Sequence, residues 1–189
     1  MSVWKAHVRS DQSAKGFFGF RKTLVEYAHD GIKNLRHRIP LPQCAWQLET
    51  VSGAFTQSYL FDSTTGRTYL SVACTATGVY KARIRFQTPP DFGSFAASGL
   101  DLFSYRISAI THLKLTLLKA AVADATINGI SISPANTYTW EAFQLSPGSA
   151  YSKRDWLTLV VEFSADTIGD QIFIADVGVE YLSARGNAP

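Results

Sequence analysis

The 189-residue chain has a formal net charge of +3, with 46% hydrophobic, 13% aromatic and only 17% charged residues. This composition excludes a disordered chain, and the length suits one domain with a good core plus an appendage. No apolar run approaches the roughly 18 residues of a membrane span, and the N-terminus lacks the apolar stretch of a signal peptide. We therefore expect a protein that is made in a cytoplasm and has no membrane partner.

The first 43 residues form a basic segment. They hold eight Lys or Arg against three acids, whereas residues 44–189 hold ten against twelve. The stretch FRKTLVEYAHDGIKNLRHRIP has apolar residues at helical spacing until Pro40 and Pro42 prevent continuation. We predict that residues 1–43 are an anchoring arm with a short helix. Its predicted docking residues are the aromatic, aliphatic and cationic side chains Phe17, Phe18, Phe20, Arg21, Lys22, Leu24, Ile32, Lys33, Arg36 and Arg38.

Two kinds of partner suit such an arm. Cations beside phenylalanines can contact phosphates while the rings stack on bases, or they can dock on an acidic protein surface. The rest of the chain is slightly acidic and would repel DNA, so a nucleic-acid partner is not expected.

From residue 44 onward the hydrophobic pattern has a period of two. The stretch VYKARIRFQ alternates apolar and polar side chains throughout, which is typical of a strand with one buried face. Similar stretches are CAWQLETV, AFTQSYLF, RTYLSVAC, LDLFSYRIS, HLKLTLLKA, DATINGISI, TYTWEAF, WLTLVVEF, IFIADVGVEYL and the opening residues. Asn128 and Gly129 suit a type I′ hairpin turn. About ten short strands predict an all-β domain over residues 44–189, as a β-sandwich or jelly roll.

Alternation also predicts which side of a strand three individual residues occupy. Cys44 and Cys74 fall on apolar sides of their strands and are predicted to be buried thiols rather than a disulfide or metal pair. Strict alternation in IFIADVGVEYL places Asp176 on the less apolar face, together with Ile172 and Ile174.

The succession VYKARIRFQ, WLTLVVEF and IFIADVGVEYL resembles the jelly-roll modules of carbohydrate-binding domains and of many bacteriophage virion proteins. In these modules a strand of alternating aromatic and apolar residues precedes a strand led by Trp and a last strand with Asp before Val. The likeness covers residues 44–182. Some of these modules hold a structural calcium ion, and for such a site the resemblance implies Asp176 and Glu49 as ligands. Because this chain has no acidic cluster near its first strand, we expect no metal and no cofactor.

Motifs that carry catalysis are absent from the sequence. It contains no HExxH, GxSxG, GxxxxGK[ST] or CxxC, the patterns typical of zinc proteases, α/β-hydrolases, nucleotide-binding proteins and zinc ribbons. We therefore expect that the protein is not an enzyme.

The resemblance and the basic arm together favour one function, with a second as its alternative. The first is a bacteriophage virion structural protein, made in the host cytoplasm, that decorates the capsid. It would dock on the major capsid protein or other virion proteins as a homo-oligomer such as a trimer. The alternative is a carbohydrate-binding module of a phage tail appendage. Its candidate stacking residues are Tyr138, Trp140, Tyr151 and Trp156, although aromatic residues in alternating strands are more often core.

Overall fold

The computed structural model describes residues 36–64, 66–107, 113–132 and 140–184. Most of the predicted arm, including its helix, lies outside these residues. The described part contains eleven strands and one 3₁₀ turn, Gln43–Ala45. The strands are β1 (Arg36–Pro40), β2 (Trp46–Thr50), β3 (Phe55–Asp62), β4 (Arg67–Cys74), β5 (Gly78–Gln87), β6 (Phe92–Ile107), β7 (Leu113–Lys119), β8 (Val122–Ile132), β9 (Glu141–Leu145), β10 (Trp156–Ala165) and β11 (Gln171–Ser183). No helix in these four ranges is long and apolar enough to cross a membrane.

The strands form two antiparallel sheets packed as a sandwich. Sheet 1 has the order β3-β4-β11-β6-β9, and β1 also pairs with β11. Sheet 2 has the order β2-β5-β10-β7-β8. Apolar residues from the inner faces of both sheets form one core. The prediction of an all-β sandwich is confirmed.

Strand β1 extends sheet 1 into residues that the sequence assigns to the arm. It pairs with the second half of β11, from Arg36 opposite Leu182 to Pro40 opposite Gly178, while β4 pairs with the first half of β11. The imidazole of His37 stacks on the ring of Tyr181 at 5.2 Å between centroids. The predicted boundary at residue 44 therefore falls inside the sandwich. The sequence RHRIP did not predict this strand, because its polar and apolar residues do not alternate regularly.

The two cysteines differ in environment, and both are free. Cys74 is buried in the core as predicted, and burial raises the pKa of its thiol to about 11. The prediction for Cys44 is wrong, because this residue is exposed. It lies in the 3₁₀ turn before β2, so the alternation of that strand does not extend to it.

A β-bulge at Asp176 corrects the predicted faces of β11. Ile174 and Val177 are three residues apart, yet both are fully buried in the core. The register with β6 shifts between Ala175 and Gly178, and Asp176 has a positive φ of 47°. An inserted residue reverses the alternation beyond it. Strict alternation therefore assigned the first half of β11 to the wrong face.

The hairpin between β7 and β8 also differs from the prediction. Its turn is formed by Ala120 and Ala121, with φ values of 47° and 70°. Asn128 and Gly129 instead lie within β8, where the register with β7 is irregular. Gly129 has a φ of 66°, and its N–H donates to Thr116 Oγ1 at 3.0 Å. The predicted Asn-Gly turn is therefore a bulge.

Two alanines with positive φ make this turn a site for stabilisation. The left-handed conformation costs a residue other than glycine roughly 1–2 kcal/mol, and Asn-Gly suits a type I′ turn. We expect the double variant Ala120→Asn, Ala121→Gly to gain about 1–2 kcal/mol and to raise Tm by about 2–4 °C per kcal/mol. Ala123→Gly, in the adjoining strand, is the control and should lower Tm. An unchanged or lower Tm in the double variant would contradict the strained turn.

A buried carboxylate ties β8 to the segment that precedes β10. Asp124 is 2% exposed. It accepts six hydrogen bonds, from Thr126 N and Oγ1 at 2.8 and 2.9 Å, Ile127 N at 2.9 Å, Gly148 N at 3.0 Å, Ser149 N at 2.9 Å and the Tyr151 hydroxyl. Burial alone raises the pKa of Asp124, but these hydrogen bonds outweigh it and hold the pKa well below its usual range.

Candidate functional site

The outer face of sheet 2 combines cationic side chains with an exposed aromatic residue. Strand β5 buries Tyr80, Ala82, Ile84 and Phe86, so the alternating residues point outward. On the neighbouring β10, Leu157, Leu159, Val161 and Phe163 are buried in the same way. We call the outward residues of β2, β5, β10 and β7 the basic face. They are Gln47, Glu49, Lys81, Arg83, Arg85, Gln87, Lys114, Thr116, Leu118, Trp156, Thr158, Val160 and Glu162.

Strand register orders this face into rows. The outward residues of β5 and β10 pair as Gln87 with Trp156, Arg85 with Thr158, Arg83 with Val160 and Lys81 with Glu162. The rows continue across β7, where Leu118, Thr116 and Lys114 follow Thr158, Val160 and Glu162. Aromatic, polar and charged groups thus form one surface along β10.

Trp156 is the exposed aromatic residue at one end of the basic face. Half of its side chain, 51%, is open to solvent. The guanidinium carbon of Arg85 lies 4.5 Å from the centroid of the indole ring, a cation–π contact worth about 0.5–1 kcal/mol at an exposed site. The sequence pattern favoured a core position for this tryptophan. Because it begins β10 on the outer side, it faces solvent instead.

The segment before β10 is held by buried hydrogen bonds. Thr88 is 1% exposed; its hydroxyl donates to the carbonyl of Ser152 at 2.7 Å and accepts from the N–H of Asp155 at 2.8 Å. Asp155 also pairs with Lys119 at 2.6 Å. Together with the Asp124 hydrogen bonds to Gly148, Ser149 and Tyr151, these contacts hold the chain just before β10 and so position Trp156.

A groove of about 230 Å³ lies farther along the basic face. Its floor includes Val160, which is 8% exposed. Its walls mix cations, hydroxyl and carboxylate groups with an apolar edge. The lining residues are Lys81, Arg83, Lys114, Thr116, Leu118, Gly129, Val160 and Glu162. A concave polar site on the same face as an exposed ring can bind a hydroxyl-rich ligand.

Two ion pairs occupy part of the charge on this face. Arg83 lies 2.6 Å from Glu49, and Lys81 lies 3.1 Å from Glu162. Lys114 is the register partner of Glu162 on the other side of β10. Within the described ranges, neither Arg85 nor Lys114 has a carboxylate at ion-pair distance.

The other predicted stacking residues do not join this face. Trp140 packs against Tyr69 of sheet 1 at 5.7 Å between centroids, and Arg67 lies over its ring. The Tyr151 hydroxyl donates to Asp124, and its ring packs edge-on against Phe95. Burial and Asp124 raise the pKa of this tyrosine well above its usual range. Tyr138 lies outside the described residues.

The two described docking residues lie on β1 of sheet 1, and the two candidate calcium ligands lie on different sheets. Arg36 Nε donates to Glu180 at 2.7 Å, and Arg38 lies 3.4 Å from Asp101; the other eight docking residues lie outside the described ranges. Asp176 pairs with Arg67 at 2.5 Å on sheet 1, whereas Glu49 belongs to sheet 2. The two candidate calcium ligands are thus not brought together. The described residues contain no group of three His, Cys, Asp or Glu that could hold a metal ion.

The sequence did not indicate that Lys114, Thr158 and Glu162 belong to one site. Alternation placed each of these residues on the outward face of its own strand. Because the sequence does not give the strand order, it could not show that they lie together. The pairing of β10 with both β5 and β7 brings them together.

No family model and no curated protein matches the chain. Among solved structures, the carbohydrate-binding module TmCBM61 in complex with β-1,4-galactotriose superposes with a TM-score of 0.54 and 9% identity. The match covers 75% of this chain and 90% of that one. A structure of carbohydrate-binding modules from the β-sandwich superfamily, described as promiscuous in specificity, gives a TM-score of 0.51 and 7% identity, over 70% of this chain and 56% of that one. Both of these structural neighbours are carbohydrate-binding modules, and the likeness shows a shared β-sandwich fold.

Proposed function

We propose that the protein is a non-catalytic carbohydrate-binding module of jelly-roll type that holds a glycan on the basic face. The observation that carries this proposal is the exposed indole of Trp156 in line with a polar groove on the same sheet. An indole offers a flat apolar surface to the C–H side of a sugar ring, and neighbouring polar groups can bond to the hydroxyls.

The length of the face suits an oligosaccharide rather than a single sugar. Trp156 and Glu162 are six residues apart on β10, which corresponds to about 20 Å at the rise of a strand. Thr158 and Arg85 lie between the indole and the groove. Several rings of an extended glycan therefore find polar partners along one straight path.

Truncating the indole is the test of this proposal. We expect Trp156→Ala to weaken glycan binding about 30-fold, since a tryptophan at the centre of a contact contributes about 2 kcal/mol. A glycan array would identify ligands, and calorimetry would measure Kd for each variant. Phe61→Ala is the matched control, because Phe61 is 66% exposed on β3 of the other sheet; it should bind like wild type.

Two other outcomes would count against the proposal. Wild-type binding in Trp156→Ala, with loss in Trp140→Ala, would move the site to sheet 1. No binding to any glycan would remove the function itself.

The structural neighbours fit the carbohydrate-binding alternative better than the capsid-decoration prediction. Decoration of a capsid depends on the arm, and most of its predicted docking residues lie outside the described ranges. The phage setting, the virion location and the oligomeric state remain predictions from the sequence.

A further inference from the structure

We propose that the glycan held by the basic face is anionic, a polysaccharide whose rings carry carboxylates, as uronic acids do. This inference rests on the proposed function and specifies its ligand class. Four cations and two acids belong to the face. The cations are Lys81, Arg83, Arg85 and Lys114, and the acids are Glu49 and Glu162.

The two acids are already paired within the protein. Glu49 accepts Arg83, and Glu162 accepts Lys81. The excess charge therefore resides on Arg85 and Lys114. Both side chains are exposed. Neither has a carboxylate at ion-pair distance in the described part of the chain.

Arg85 is placed to recognise a carboxylate at the stacking position. Its guanidinium lies over one face of the Trp156 ring, 4.5 Å from the centroid, so a sugar stacked on the open face can extend a carboxylate past the ring edge toward the guanidinium. A guanidinium can bind a carboxylate through two parallel N–H donors, which a neutral hydroxymethyl group cannot match. Trp156 therefore supplies the stacking area, and Arg85 beside it supplies the charge recognition.

Lys114 is placed to meet a second charge on the same chain. Arg85 is opposite Thr158, and Lys114 is opposite Glu162. These two rows are four residues apart along β10, or about 13 Å. A polymer with a carboxylate on many rings reaches both cations, whereas a glycan with one terminal acid reaches only one.

Nucleic acid is the rival polyanion, and the acids on the face disfavour it. Glu162 lies between Lys81 and Lys114, and Glu49 lies beside Arg83. A phosphodiester backbone has only acceptors to offer these carboxylates, and repulsion follows. Sugar hydroxyls donate, so the carboxylates become binding groups for a uronate polymer.

The test compares a polyuronate with its carboxyl-reduced form, in which every acid has become a neutral hydroxymethyl group. Calorimetry on the whole chain should give at least tenfold weaker binding to the reduced polymer, and the affinity for the polyuronate should fall with salt. The variants Arg85→Gln and Lys114→Gln should each weaken polyuronate binding several-fold. Their affinity for the reduced polymer should equal that of the wild type. Lys153→Gln, an exposed lysine outside the face, should change neither.

Each contrary result has a separate meaning. Equal affinity for both polymers would overturn the anionic class and leave the glycan proposal standing. Tighter binding to a single-stranded oligonucleotide than to the polyuronate would overturn it in favour of nucleic acid. No binding to either polymer or to a neutral glycan array would overturn both proposals.

Discussion

Replacing Asp124 with asparagine is expected to lower the free energy of unfolding by about 3 kcal/mol or more, since hydrogen bonds to a buried charge contribute about 1.5–3 kcal/mol each and are not additive. The carboxylate accepts six hydrogen bonds in the native state. Asparagine loses the charge and turns an N–H₂ group toward donors that need an acceptor. Urea unfolding of both proteins at pH 7 would measure the loss.

The same network makes the effect depend on pH. The native pKa of Asp124 is lowered below its ordinary value, which is about 3.9 in an unfolded chain. The stabilisation from the ionised carboxylate is therefore complete above about pH 4 and declines as the pH falls below that. The difference in stability between wild type and Asp124→Asn should shrink when unfolding is measured at pH 3 instead of pH 7.

Asp176→Asn is the matched control for this substitution. Asp176 pairs with Arg67 at a partly exposed position, where an ion pair contributes up to about 1 kcal/mol, and asparagine tolerates its positive φ. We expect a loss below 1 kcal/mol. Equal losses in the two variants would show that the Asp124 network contributes no more than a surface pair.

Gly53→Ala is expected to cost about 3 kcal/mol, by adding left-handed strain of roughly 1–2 kcal/mol to overpacking of roughly 1–3 kcal/mol. Gly53 has a φ of +99°, and a Cβ there would lie 2.9 Å from Tyr80 Cζ and closer still to the hydroxyl oxygen. Tyr80 cannot move aside, because it is 1% exposed and stacks on Phe163 at 5.5 Å. Its hydroxyl lies within hydrogen-bonding distance of the carbonyl oxygens of Ala54, at 2.9 Å, and Ala76, and its one proton is shared between them.

Gly169→Ala separates strain from overpacking. Gly169 has a φ of +96°, almost the value at Gly53, and nothing lies within 4 Å of its missing Cβ. This control should cost only about 1–2 kcal/mol, the strain alone. In a double-mutant cycle, the cost of Gly53→Ala should fall in a Tyr80→Phe background, which lacks the oxygen that clashes. Equal costs for the two glycine variants would exclude the clash.

The amino-acid sequence determined the fold class and most of the strands. Alternation such as VYKARIRFQ needs only the two-residue period of a strand, and each strand predicted within the described ranges is found there. Strand β1 and the first half of β6 were not predicted. Both depend on pairing with the second half of β11, a partner more than 80 residues away for β6 and farther for β1.

The features that create the candidate site were decided by tertiary structure. Local pattern indicated that Arg85 and Lys114 face outward, but only the position of β10 between β5 and β7 puts them on one surface with Trp156. Likewise, the bulge at Asp176 and the Ala120–Ala121 turn follow from register between strands. Periodicity is a property of neighbours in the chain, whereas register and strand order result from hydrogen bonding and packing between distant segments, which a single sequence does not display.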